Sequence, residues 1–216
     1  MKRLAVLVFA FLFAAPTFAA GRFFDLTGWV TWVDPQSSDT FHSANPNQPF
    51  NISFTGKLGY GVGANVFLGD NFSLELAASE VRPTAQYGFF QSGAPLSQGD
   101  LKMIPLTGVF QFHVAPKATI DPYVGAGAAY ILFDNLRNAN DIGRIGVSRI
   151  DFKDDAGLVL NAGLGLNFSP RLGITLDGKY VPLKASANAV YVTGPTTQQK
   201  IKINPLMASA GLTFHF

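Results

Sequence analysis

Three histidines, His42, His113 and His215, are the side chains of this 216-residue chain best suited to proton transfer or metal binding. His42 lies in a stretch rich in Pro, Ser and Asn, while His113 and His215 stand near the ends of segments in which apolar and small or polar residues alternate. No acidic residue or serine sits at a catalytic spacing from either of the latter two, and no G-x-S-x-G is present. There is no cysteine, so neither a thiolate metal site nor a disulfide framework is available. Glycines at 59, 61 and 63 and at 125 and 127 superficially resemble a nucleotide loop. They recur at even spacing inside alternating segments with no helix following, which makes them small residues on one face of a strand. No catalytic, cofactor-binding or metal-ligating residue is expected, and the chain does not read as an enzyme.

The elements that position these residues are clearest at the end of the chain. From Leu206 to Phe216 the sequence LMASAGLTFHF places Leu206, Ala208, Ala210, Leu212, Phe214 and Phe216 on one face and Met207, Ser209, Gly211, Thr213 and His215 on the other. The second face is small and polar but carries no lysine or glutamate, as a strand face turned to bulk water would. Lipid on one side and a narrow lumen on the other fits this pattern and proposes a transmembrane β-barrel.

The N-terminus supports export. Lys2 and Arg3 precede an apolar run from Leu4 to Ala15 and the small-residue stretch through Ala20, the pattern of a secretory signal peptide, expected over residues 1–19 with cleavage after Ala19. The run is too short for a membrane span. Losing Lys2 and Arg3 leaves 14 of 16 basic residues against 14 acidic ones, and no basic cluster suggests nucleic acid. Residues 20–216 then form one domain, poor in charge yet without a stretch of 18 apolar residues, the composition of an outer-membrane barrel rather than of a helical membrane protein.

Eight alternating segments are legible, beginning near Arg22, Lys57, Phe72, Leu101, Pro122, Ala156, Leu172 and Leu206. Three connections are short and four are long, the long ones including 34–56, with a possible strand extension at 50–54, 84–100, 134–155 and the stretch to Lys200. Short turns belong in the periplasm and long loops outside. The fold expected is all-β, an eight-stranded antiparallel transmembrane barrel located in the bacterial outer membrane. A soluble barrel of lipocalin type would turn its apolar face inward and charges outward, whereas here the face opposite the apolar one is Gly, Ser, Thr and Asn. By parity alone, Leu164→Lys should be costly and Asn161→Ser mild.

The same parity assigns the interior. Asp25, Glu75, Asp177 and Lys179 point inward in the periplasmic half and are expected to plug it, because an eight-stranded barrel has room only for side chains. Nearer the outside, the inward positions are Trp29, Val33, Leu101, Met103, Ile131, Phe133, Val181, Leu183, Ile203 and Met207, expected to form an apolar pocket or funnel. A hydrophobic molecule there could not cross the plug without separating buried charges. It could leave through a weak point in the wall. Pro105 inside the fourth strand and Pro83 at the outer end of the third lack the N–H that a ladder needs, which marks that seam as a lateral exit.

Several segments resemble the OmpW family of small outer-membrane barrels and together cover nearly the whole mature chain. They are Trp32-Val33-Asp34-Pro35, Ile104-Pro105-Leu106-Thr107 with Gln111-Phe112-His113, Asp121 to Tyr130 (DPYVGAGAAY), Asp177-Gly178-Lys179-Tyr180, and Asn204-Pro205 with the terminal Phe216. Leu106 replaces a second proline common in the family, and Lys179 replaces an arginine. The resemblance implies an eight-stranded barrel that lets small hydrophobic molecules pass the outer membrane, with membrane lipid and such solutes as its partners. An aromatic last residue resembles the signal read by the barrel-assembly machinery, a role that falls to Phe216. A small barrel acting as adhesin, receptor or anchor through its extracellular loops is the alternative.

Overall fold

A computed structural model describes residues 22–36, 38–41, 50–89, 97–134, 147–191 and 196–216. The expected signal peptide over 1–19, its cleavage point and His42 lie outside the described residues. The strands in chain order are β1 (Phe24–Pro35), β2 (Ser38–Phe41), β3 (Phe50–Thr55), β4 (Lys57–Phe67), β5 (Phe72–Glu80), β6 (Thr84–Phe89), β7 (Ser97–Asp100), β8 (Met103–His113), β9 (Ile120–Phe133), β10 (Val147–Phe152), β11 (Asp155–Ser169), β12 (Leu172–Tyr180), β13 (Lys184–Tyr191), β14 (Thr197–Lys202) and β15 (Pro205–His215).

Eight of them close an antiparallel barrel in the order β1, β15, β12, β11, β9, β8, β5, β4, with β4 returning to β1. Closure leaves no unpaired edge in the hydrocarbon, where an unsatisfied backbone group is costly. Side chains alternate as the period of 2 requires: Leu58, Leu158 and Phe214 are exposed on the outer face, and Asp25, Thr27, Trp29 and Thr31 are buried within. Tyr60, Tyr130, Tyr180 and Trp32 ring the outer end of the lipid-facing belt, and Phe72, Phe112, Phe168, Phe214 and Phe216 ring the periplasmic end. Phe216 closes the barrel at that end. Its N–H donates to the Phe24 carbonyl at 2.8 Å, and the two rings lie 5.8 Å apart.

Beyond the membrane the long connections carry strand structure, of which the sequence pattern disclosed only the extension at 50–54, found as β3. The wall continues upward as two half-shells, one ordered β2-β3-β6-β7 and the other β10-β13-β14. Sequence alternation suggests one strand from Leu172 to Lys184, but β12 stops at Tyr180 and β13 starts at Lys184, with Pro182 between. Opposite this break, Asn204 adopts a left-handed φ of 31° between β14 and β15. Its Oδ1 accepts the Leu183 N–H at 3.0 Å, and Ile203 N–H donates to the Leu183 carbonyl at 3.0 Å, so the two strands bend together without losing contact. The half-shells face each other with apolar inner sides, Ile52, Phe54 and Ala85 from one and Ile150, Phe152, Ala187 and Ile201 from the other.

Candidate functional site

The barrel interior is layered. At the periplasmic end Arg22, just before β1, reaches across the opening. It pairs with Asp25, lies 3.4 Å from Asp121, donates to the Pro116 carbonyl at 3.2 Å and sits over the Phe67 ring at 4.7 Å. Each of these aspartates also holds a histidine: Asp25 Oδ1 lies 2.8 Å from His215 Nδ1, and Asp121 Oδ2 lies 2.7 Å from His113 Nδ1. His113 Nε2 is in turn 3.0 Å from Ser73 Oγ.

One layer up, Lys179 Nζ lies 2.9 Å from Glu75 Oε1 and 2.5 Å from Asp177 Oδ1. Neutral side chains complete the set. Gln111 donates to Glu75 at 3.2 Å and to Asn161 at 2.9 Å, Asn161 donates to Asp177 at 2.6 Å, and the Tyr123 hydroxyl donates to Asp177 at 2.8 Å. Such a network is stable in a low-dielectric interior because each charge meets an opposite charge or a donor. Gly163 makes it possible, since a Cβ there would fall 2.2 Å from the Tyr123 ring.

Of the four residues expected to form one plug, Glu75, Asp177 and Lys179 are brought together. Asp25 instead pairs below them with Arg22 and His215, because its place near the start of β1 sets it opposite His215 in the ladder. Sequence reasoning overlooked Arg22, Asp121 and the two His–Asp pairs. The register carries the missing signal: counting the β8–β9 hairpin places Tyr123 opposite His113, with Asp121 diagonal to it.

Trp29 lies across the middle of the lumen, its ring 5.7 Å from Lys179 Nζ and close enough to Gly63 that a Cβ there would meet Nε1 at 2.6 Å. It separates the polar layers from the apolar ones. Of the ten upper positions read from parity, Val33, Leu101, Met103, Ile131, Val181, Leu183, Ile203 and Met207 are buried in one contiguous apolar cluster with the half-shell side chains, and Phe133 packs against it. Trp29 is the floor beneath that cluster. These side chains fill the space they line instead of standing around an open funnel.

Between floor and cluster a small cavity is lined by Trp29, Thr31, Ala77, Ser79, Pro105, Thr107, Lys179, Met207 and Ser209. Its wall is the β5–β8 seam. β5 and β8 pair from Phe72 opposite Phe112 to Ala78 opposite Leu106, and the same register returns at the bridge between Val81 and Met103 and again between β6 and β7. Val81 and Met103 exchange two backbone bonds of 3.0 and 2.9 Å. Antiparallel rungs of this kind recur every second residue, so the neighbouring ones are Ser79 with Pro105 and Pro83 with Leu101. Each can hold at most one bond, because proline has no N–H; the Leu101 N–H donates to the Pro83 carbonyl at 3.0 Å. On its other side β8 pairs with β9 without interruption from Met103 to His113. The thinned rungs therefore lie on one side of β8 only.

A family model for the OmpW family matches residues 19–216. The chain is 27% identical over 215 residues to outer membrane protein W of Vibrio cholerae, covering 96% of each chain. It is 29% identical over 188 residues to an outer membrane protein of Rickettsia bellii, covering 78% of this chain and 70% of that one. Among solved structures, outer membrane protein OprG of Pseudomonas aeruginosa superposes with a TM-score of 0.77 at 18% identity, covering 91% of this chain and 96% of its own, a likeness of fold. With the closed barrel of eight antiparallel strands, these matches make the chain an outer-membrane protein that belongs to the OmpW family.

Proposed function

We propose that this barrel admits small hydrophobic molecules from outside into its apolar upper interior and releases them sideways into the bilayer at the β5–β8 seam. The observation that supports this most is the pair of thinned rungs at Ser79/Pro105 and Pro83/Leu101, with a cavity against Pro105 on the inner side. Downward passage would have to separate Lys179 from Glu75 and Asp177, at several kcal/mol. Sideways passage has the Val81–Met103 rung, the single bonds left at the two proline rungs and the Glu80–Lys102 ion pair to loosen. Tyr60, opposite Glu80, and Tyr130, opposite Leu106, mark the seam as lying at the outer interface, so a released solute would enter the outer leaflet. Because the upper side chains fill their space, a solute must displace them as it enters.

The filled interior also favours a second reading, a barrel that transports nothing and acts through its extracellular loops. Uptake of a small apolar solute by cells with and without the protein separates the two: faster uptake with the protein supports transport, and equal uptake supports the loops.

The Ser73–His113–Asp121 chain has the connectivity of a hydrolase triad, yet we read it as structural. A nucleophile must meet its substrate, and Ser73 is 0% exposed while the His113 ring is flanked by Phe67 and Tyr123, each 5.0 Å away. Residues 1–19 would direct export as a cleaved signal peptide, and Phe216 would be read by the barrel-assembly machinery.

A further inference from the structure

We propose that the cavity against Pro105 is a seat for one neutral oxygen, so that the solute this barrel takes is an apolar chain ending in a hydroxyl or carbonyl group; the inference rests on the transport reading above and names its substrate class. Hydroxyls from four strands converge there, Ser79 of β5 and Thr107 of β8 from the seam itself, Thr31 of β1 and Ser209 of β15 from the rest of the wall. Thr31 and Ser209, opposite each other in the ladder, share one hydrogen bond of 2.9 Å, which leaves one hydroxyl proton of the pair unused. The Ser79 and Thr107 hydroxyls have no hydrogen-bond partner among the described residues, although Thr107 is only 7% exposed. A buried hydroxyl without a partner is costly, so two of them at one cavity point to a polar occupant. Gly61, opposite Ser79, gives that hydroxyl its room, since a Cβ there would fall 2.3 Å from Oγ.

Size and charge define the occupant. The space is about 20 Å³, enough for one water-sized group and too small for a chain. Met207 lines it and is also a member of the apolar cluster above, so it stands between the two. Its unbranched thioether can shift to let an alkyl tail run upward while the head stays beside Pro105. Lys179 lines the same space. Its ammonium carries three donors, of which Glu75 at 2.9 Å and Asp177 at 2.5 Å take two, and the third can serve an oxygen of the solute. A carboxylate head is disfavoured, because two carboxyl groups already share the one cation and a third would be buried without a partner. An alkane leaves the Ser79 and Thr107 hydroxyls unpaired. A neutral oxygen meets both conditions, and it holds the solute at the Ser79/Pro105 rung, where the wall is thinned.

The test is an NMR titration of the protein in nanodiscs with 1-octanol, octane or octanoate at equal mole fraction in the bilayer. The Thr107 amide and the Trp29 indole report on the cavity, and the Leu164 amide, on the lipid face, reports on partition alone. Octanol should shift Thr107 and Trp29 saturably, at least about fivefold more than octane or octanoate does. Thr107→Val with Ser79→Ala should raise the half-saturating octanol concentration at least about fivefold. Neither hydroxyl bonds to another described residue, so the double variant should keep the heat-modifiable mobility of a folded barrel. Equal shifts from octanol and octane, as when water alone fills the cavity, a response to octanoate matching that to octanol, or an unchanged half-saturation in the variant would overturn the seat. Uptake by cells with and without the protein tells this failure from that of the transport reading. Octane and octanol accelerated equally would overturn the preference while transport stands, whereas no acceleration of either would end transport and this substrate class together, leaving a saturable octanol shift to mark a binding site only.

Discussion

Lys179 Nζ stands 2.9 Å from Glu75 Oε1 in a barrel interior where both side chains are more than nine-tenths buried. Each carries a charge that the other makes tolerable. Replacing Lys179 with Met leaves Glu75 and Asp177 facing each other without a cation and should cost about 3–5 kcal/mol of unfolding free energy. Adding Glu75→Gln should recover part of that loss, because one of the two uncompensated carboxylates is then gone. Urea titration in detergent or lipid gives the three values, and a fully additive double variant would show that the pair is not coupled.

The polar layers should also stop ions. Arg22 with Asp25 and Asp121 below, and Lys179 with Glu75 and Asp177 above, cross the lumen in two successive tiers. Purified protein in planar bilayers should show little conductance. Large, stable, ohmic steps would mean that the tiers do not seal the barrel.

Strand parity makes a third prediction with a correction built into it. Leu164, opposite Leu176 near mid-membrane, faces lipid, and Leu164→Lys should cost about 2–4 kcal/mol. Parity alone makes Asn161→Ser mild, since Asn161 faces the lumen. But Asn161 accepts from Gln111 and donates both to Asp177 and to the Gly178 carbonyl, so shortening it should cost about 1–3 kcal/mol by leaving buried groups unpaired. A loss well under 1 kcal/mol at Asn161 would show that water replaces those bonds.

How far the sequence discloses the protein follows from which signals are local. Period-2 alternation is local, and it places the eight membrane strands within a few residues and puts inward side chains such as Trp29, Gln111 and Asp177 on the correct face. The short upper strands escape it: β14 reads TQQKIK, almost wholly polar, and the inner face of β13 is Ala185, Ala187 and Ala189, too weakly apolar to stand out. The half-shells become apparent only once Ile150, Phe152 and Ile201 pack across from Phe54 and Ile52. Partners within the lumen are non-local as well. Asp25 with His215 joins the two ends of the chain, and only closure of β1 on β15 brings them together.

Closure also singles out the last residue. Phe216 exchanges backbone bonds with Phe23 and Phe24 at the periplasmic end and exposes its ring to lipid. Phe216→Ala should reduce the amount of assembled barrel in cells more than it lowers the stability of refolded protein. Equal, proportionate losses in both would assign Phe216 to stability alone.

Lateral release depends on the β5–β8 seam. Pro105→Val should supply the missing donor to Ser79, tighten the wall and slow uptake of a small apolar solute, provided the barrel still folds.

A covalent lock is the most direct measurement. Glu80 and Ile104 face each other in the unbroken register, at the gap between Ala78/Leu106 and Val81/Met103, and the chain has no cysteine of its own. Opposed residues between hydrogen-bonded rungs lie about 4.5 Å apart at Cα, within disulfide range. With Glu80→Cys and Ile104→Cys in proteoliposomes, oxidation should slow uptake of an apolar solute several-fold and reduction should restore it. Uptake at the wild-type rate with the disulfide fully formed would contradict lateral release at this seam.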